Sequence, residues 1–304
     1  MLSQTQIIWI LLVPLAAGIA ASLSVHSLPR WGRPLVPIAF AFAAAGAMWS
    51  VFGKPALALL PSQHVLFWTA LGAALAAIPL TLLKPAPADA PRTARTLALL
   101  TLALALCIAS FWTLTHWMVV RERWTQPQHA QWTLAWSAWG AFTTLAFTLL
   151  ARRPSPERQT ARRFDSASAA LVASAVAGLG ALVLTFDGRV ADHGKVSGAL
   201  SLTLLAAGVL SLILPARIAL PAAGFIPFSL IITALALDAH YAGWQSAWFH
   251  LALPLAALFA LAADLTPLAG WKRFIARVSL GTLPIALLAA RTLANVEWDA
   301  YTGG

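Results

Sequence analysis

Apolar residues along the chain gather into blocks of about 17 to 25, each long enough to cross a hydrocarbon layer about 30 Å thick at a rise of about 1.5 Å per residue. Ten blocks qualify: Ile7 to Val25, Pro34 to Phe52, Val65 to Leu83, Thr96 to Val119, Gln131 to Leu150, Ala167 to Phe186, Gly198 to Leu214, Pro221 to Leu237, Ser246 to Leu265 and Val278 to Ala294. Pro, Gly and charged residues punctuate them, as in "KPAPADAPRTAR" and "DGRVADHGKVSG". The seventh and eighth are the shortest and are divided only by "PARIAL", a stretch that reads as a tight turn or as the junction of two half-spans. The pattern predicts an all-α, polytopic transmembrane bundle: one integral membrane domain over residues 1–304.

Composition removes the soluble alternatives. Of the 304 residues 60% are apolar and 10% charged, against about 45 to 50% and about 25% in soluble domains. The net charge of +10 would suggest nucleic acid in another setting. Here the basic residues sit in short loops between spans, with no phosphate-binding glycine loop and no room for a folded nucleic-acid module, so nucleic acid is not an expected partner. The single cysteine, Cys107, lies within a span and forms neither a disulfide framework nor a redox pair. No Lys or Arg precedes Arg30, so the first block lacks the charged start of a signal peptide and reads as a retained span.

The basic residues orient the bundle. With the N-terminus outside, Lys54, Arg121, Arg123, Arg189, Lys195 and Arg291 fall on the outer side, and the remaining fourteen of the twenty Lys and Arg fall on the inner side, as the positive-inside rule requires. Both termini are then extracytoplasmic in a bacterial inner membrane. The longest polar connection, residues 151–166, joins halves 1–150 and 167–304; because each half holds an odd number of spans, a five-plus-five inverted repeat is an expectation. Its five arginines, Arg152, Arg153, Arg158, Arg162 and Arg163, face one Glu157 and predict contact with anionic lipid of the inner leaflet.

Chemistry is sparse. Asp238, Asp264, Arg277 and Arg291 lie at or near span ends, where a side chain can reach the interface, and none lies at a span centre. Pro14, Pro79, Pro227, Pro254 and Pro284 each free a backbone carbonyl, for a neighbouring helix or a cavity to satisfy. Small residues such as Gly18 and Gly178 permit close helix approach. There is no Gly-x-Ser-x-Gly elbow and no His-Glu-x-x-His, so nothing marks an enzyme. No cofactor is specified, and His116 with His250, the only embedded pair for bis-imidazole haem ligation, makes a poor case for one.

One asymmetry stands out. Every histidine except His26, and every tryptophan except Trp31, Trp139 and Trp271, falls toward the outer ends of the spans. A headgroup belt of indoles accounts for much of this, but a belt marks both interfaces. The candidate ligand-binding set is therefore Trp112 and His116, Trp132 and Trp136, Asp238 and His240, and His250, on spans four, five, eight and nine. Two functions follow as expectations: a permease or carrier for a small solute, or a membrane-anchor subunit of a redox or assembly complex that presents this surface to a cofactor or an extracytoplasmic protein. The topology is tested by reporter fusions. A phosphatase fused at Gly304 is expected to be active and one at Ser155 inactive; the reverse result inverts the bundle.

Overall fold

The computed structural model describes residues 3–28, 31–54, 62–82, 92–152, 159–187, 190–214, 220–243 and 248–296. Among these every regular element is helical, and ten helices are long and apolar enough to cross a membrane. They are α1 (Gln4–Ser27), α2 (Leu35–Phe52), α3 (Ser62–Leu82), α4 (Arg92–Val120), α5 (Gln126–Arg152), α6 (Gln159–Phe186), α7 (Ala191–Ile213), α8 (Phe225–Gly243), α9 (Trp248–Ala262) and α10 (Gly270–Ala294). The fold is a multi-pass helix bundle, and both short blocks are full-length helices. Most of "PARIAL", the arginine side chains of the 151–166 connection, Trp117, Trp244 and Trp298 lie outside the described residues or side chains.

The centre is α8. Its apolar window is 94% buried, against 28% for α10 at the periphery, and α2, α3, α4, α5, α6, α7 and α9 all touch it. A 3-10 turn, Ala222–Gly224, leads into it. Pro227 falls in its first turn, where no intrahelical amide is needed. The chain just before has a buried amide, Leu220 N–H, which donates to Ser166 Oγ on α6 at 2.9 Å.

In lipid, helices are held together by close packing and hydrogen bonds rather than by exclusion of water. The α6–α7 pair uses both. Ser174 Oγ donates to the Ser201 carbonyl at 2.9 Å, Ser201 Oγ to the Ser174 carbonyl at 2.8 Å, and Ser197 Oγ to the Ala177 carbonyl at 2.7 Å. At Gly18 on α1 a Cβ would collide with the Thr203 carbonyl of α7, so the two backbones touch there. Gly46 on α2 lies flat against the Trp9 indole. Trp9 is carried in a π-turn, Ile8–Leu12, where the Val13 amide reaches the Ile8 carbonyl. Pro14 follows at once, and the wider turn accommodates its ring and missing amide.

Helix pairing does not carry the five-plus-five repeat. In the second half α6 packs on α10, whereas among the described residues α1 and α5 are not in contact.

The charged residues behave differently from the sequence expectation that span-end charges reach for the interface. Arg277, in the third turn of α10, is 1% exposed. Its Nη1 meets Asp165 Oδ1 of α6 at 2.7 Å, and its Nη2 and Nε both meet Asp264 Oδ1, just past α9, at 2.7 Å. Asp238 is 3% exposed and equally withdrawn. Pairing, not snorkelling, is the cheaper solution once these positions are covered by neighbouring helices. Removing the guanidinium takes the shared cation from two carboxylates: Arg277→Met is expected to cost about 3–5 kcal/mol, while Arg291→Met, at an exposed site, is expected to change stability by less than about 0.5 kcal/mol. Reversible unfolding in detergent measures both, and equal stabilities would remove the triad from the list of what holds α6, α9 and α10 together.

Candidate functional site

The end of the bundle where α4 and α8 finish and α5 and α9 begin gathers most of the candidate residues. The α4–α5 connection is short, so α5 starts beside the end of α4, and α5 packs on both α8 and α9. Contact between these two helix pairs was the step the sequence left open.

On α4, Thr115 Oγ1 donates its one proton to the Phe111 carbonyl at 2.7 Å. Its oxygen therefore accepts from His129 Nε2–H at 3.0 Å, which sets the tautomer of that ring. His129 is buried in the first turn of α5, two residues before the predicted start of the span. Trp112 at 4.4 Å, His116 at 6.0 Å and Trp124 at 6.2 Å surround it, centroid to centroid. Trp124 then stands edge-on to Tyr241 of α8 at 5.0 Å. The Tyr241 hydroxyl accepts from Trp136 Nε1–H at 2.8 Å. Trp136 lies 4.4 Å from His250 and 5.8 Å from His240, and those two imidazoles are 5.4 Å apart and nearly perpendicular. A continuous aromatic chain thus runs from Trp112 and His116 to His240 and His250.

Two of the candidates stand apart from it. Trp132 is half exposed on the outer face of α5. Asp238 lies two residues before His240, about 200° around α8, and its Oδ2 meets His193 Nε2 of α7 at 2.7 Å. Phe52, at the end of α2, packs edge-on to that imidazole at 5.4 Å. Asp238 thus belongs to a separate histidine–aspartate pair on the opposite side of the central helix. The sequence placed His193 in a loop because Asp192 and Lys195 flank it; α7 begins at Ala191 and carries it into the bundle.

His250 is the anomaly. It is 2% exposed, and neither ring nitrogen has a hydrogen-bond partner. Its carbonyl is served: it would ordinarily accept from the amide four residues on, but that residue is Pro254, and the Trp139 indole N–H donates to it instead at 2.9 Å. Trp139 is the one tryptophan deep in span five, and this bond gives it a task.

A polar stripe on α5 escaped the sequence reading. His129, Thr133, Ser137, Gly140, Thr144 and Thr148 recur at intervals of three or four, share one face and are all buried. Facing them, α8 carries Ser229, Thr233 and His240 on one side, with Ser229 Oγ 3.1 Å from Thr144 Oγ1. Thr144, Thr148 and Thr233 also bond carbonyls of their own helices. Ser137 Oγ, at the middle of the stripe, has no partner.

Among the described residues no three His, Cys, Asp or Glu converge as metal ligands would. Comparison with family models, curated proteins and solved structures finds no match for this chain.

The indole bond to the His250 carbonyl yields a cycle. Trp139→Phe is expected to lower stability by about 1–3 kcal/mol by orphaning that carbonyl. Pro254→Ala supplies a native helical amide, so the Trp139→Phe substitution is expected to cost much less in a Pro254→Ala background. Additive effects in detergent unfolding would show that the bond contributes nothing.

Proposed function

We propose that the chain is a permease or carrier for a small solute in a bacterial inner membrane, with its His/Trp end extracytoplasmic and its transport path along the seam between α5 and α8. The observation that carries this reading is the buried stripe from His129 to Thr148. It covers twenty residues, about 28 Å of helix from first to last, which matches the thickness of the hydrocarbon layer. Hydroxyls along a whole buried seam are not needed for packing, which alanine provides elsewhere in this bundle. They give a polar solute successive partners. The seam is closed by side-chain contact, as an alternating carrier requires when neither end is open. His240 at one end of the α8 face, with Trp136 beside it, supports a reading in which the aromatic cluster forms the mouth of that seam.

The one-sided tryptophan and histidine surface favours a second reading, a membrane-anchor subunit that docks a cofactor or an extracytoplasmic protein there. In that case the stripe has no reason to extend beyond the cluster to Thr148.

Because Cys107 is the only cysteine, Cys107→Ala provides a clean background for accessibility. Single cysteines at Ser137 and Thr144 are expected to react with a charged, membrane-impermeant maleimide in oriented vesicles, and one at Leu134, which is exposed on the outer face of α5, to be inert. A Gln128→Cys variant in the exposed first turn of the same helix reports on reagent quality. Stripe positions as inert as Leu134→Cys would overturn the path.

A further inference from the structure

The carrier reading leaves the solute unnamed, and His250 narrows it. A neutral imidazole has one N–H donor and one bare nitrogen acceptor. When buried without partners, each costs about 1–3 kcal/mol. Buried polar groups are partnered as a rule, so an imidazole at 2% exposure with two unserved nitrogens is shaped for something that arrives. Its carbonyl and the neighbouring indole N–H are already engaged, by Trp139 and Tyr241 respectively, so the unmet side-chain capacity belongs to the ring.

Charge decides what kind of molecule fits. The nearest carboxylate on α8, Asp238, points about 200° away from His240 and is held by His193. Among the described side chains the one buried guanidinium, Arg277, sits at the other end of the bundle between two aspartates. Among the described residues no carboxylate, ammonium or guanidinium is bonded to the His250 ring, so a buried ion there would bear a desolvation cost that no bonded counter-charge offsets. A divalent metal would in addition lack a third His, Cys, Asp or Glu ligand among the described residues. A neutral molecule avoids both penalties. The Trp136 ring, 4.4 Å from the imidazole and inclined by 45°, offers aromatic surface to a flat ring, and His240 and Trp136, both only half-buried, adjoin His250.

We propose that His250, with Trp136 and His240, binds a neutral aromatic or quinonoid ring bearing a hydrogen-bonding oxygen, and that such a compound is the cargo. The imidazole suits it in either form: N–H donates to a quinone or ketone carbonyl, and the bare nitrogen accepts from a phenol or quinol hydroxyl. This rests on the carrier reading for its word cargo, but the binding step does not require transport. Cysteine accessibility along α5 and ring binding at His250 therefore fail independently.

The chemistry has two sources, an isoprenoid-tailed quinone resident in the bilayer or a free phenol from water. Isothermal titration of the purified full-length protein in detergent with ubiquinone-1 and, separately, with 4-methylphenol distinguishes them. Saturable binding of ubiquinone-1 alone assigns a membrane-borne cargo; binding of both assigns the ring itself as the recognised unit, available from water. In either case His250→Phe, which keeps a ring in the space, is expected to weaken binding about tenfold or more. His250→Gln, which keeps a donor and an acceptor, is expected to stay within about threefold of the parent. Trp136→Phe, which retains a smaller aromatic face, serves as the second probe should a His250 variant fail to elute as a monodisperse species. The proposal is overturned if neither compound binds saturably, if binding is indifferent to both His250→Phe and Trp136→Phe, or if Zn2+ binds with a dependence on His250 while the rings do not.

Discussion

A hydrocarbon solvent offers no hydrogen bonds, so each polar group in this bundle must find its partner within the protein. That constraint explains features that would otherwise look unrelated. Serines on α6 and α7 clasp each other's carbonyls. Ser166 serves the buried amide ahead of α8, and Trp139 replaces the amide that Pro254 lacks. The α1 π-turn adjusts the ladder before Pro14. In water most of these groups would be satisfied by solvent and their placement would be free; here each fixes the rotation or depth of one helix against another.

The same constraint sorts charge. Arg277 with Asp165 and Asp264 ties three helices at one end, and His193 with Asp238 ties α7 to α8 at the other. Both clusters lie toward the second half of the chain, and α8 separates the second cluster from the aromatic chain by presenting Asp238 and His240 on opposite faces. The centre of the bundle is left with hydroxyls and no formal charge. A solute passing there would meet hydrogen-bond partners without meeting a fixed ion, which suits a neutral cargo better than a charged one.

Much of the architecture was legible in the sequence. Span number follows from the length of apolar blocks, because bilayer thickness sets a nearly fixed ruler, and the two shortest blocks proved to be complete helices whose polar ends had been trimmed off. That trimming is also why the site was only half visible. His193 and His129 sit beside Asp192, Lys195, Gln128 and Gln131, a local composition that reads as loop, yet neighbouring helices cover those turns and bury the imidazoles. The pairing of Asp238 with His193 across forty-five residues is invisible to local spacing, and so sequence reasoning groups Asp238 with His240 and His250 instead. By contrast the stripe from Thr133 through Ser137, Gly140 and Thr144 to Thr148 has a plain helical period. It was passed over because small hydroxyls in a span read as packing, and only Ser137, the member without a partner, departs from that reading.

What distinguishes the aromatic end from the rest of the protein is therefore not polarity but incompleteness. The bundle elsewhere goes to some length to complete hydrogen bonds, even recruiting an indole to one carbonyl, so its packing is not loose enough to ignore a missing partner. Against that background His129 and His193 each leave only Nδ1 unserved, whereas His250, two residues into α9, leaves both ring nitrogens unserved and Ser137, one residue from Trp136, its hydroxyl. His250 and Ser137 lie on helices that meet at the mouth of the α5–α8 seam. A fold selected only for stability would remove such groups by substitution with leucine or alanine, each gaining free energy at once. Retaining them makes physical sense where a visiting molecule completes the bonding, and on the carrier reading proposed above that visit must be reversible. An imidazole and a hydroxyl without fixed charge meet that requirement, since the bonds they offer are worth about 1 kcal/mol each rather than the larger values of an ion pair that would hold the cargo in place.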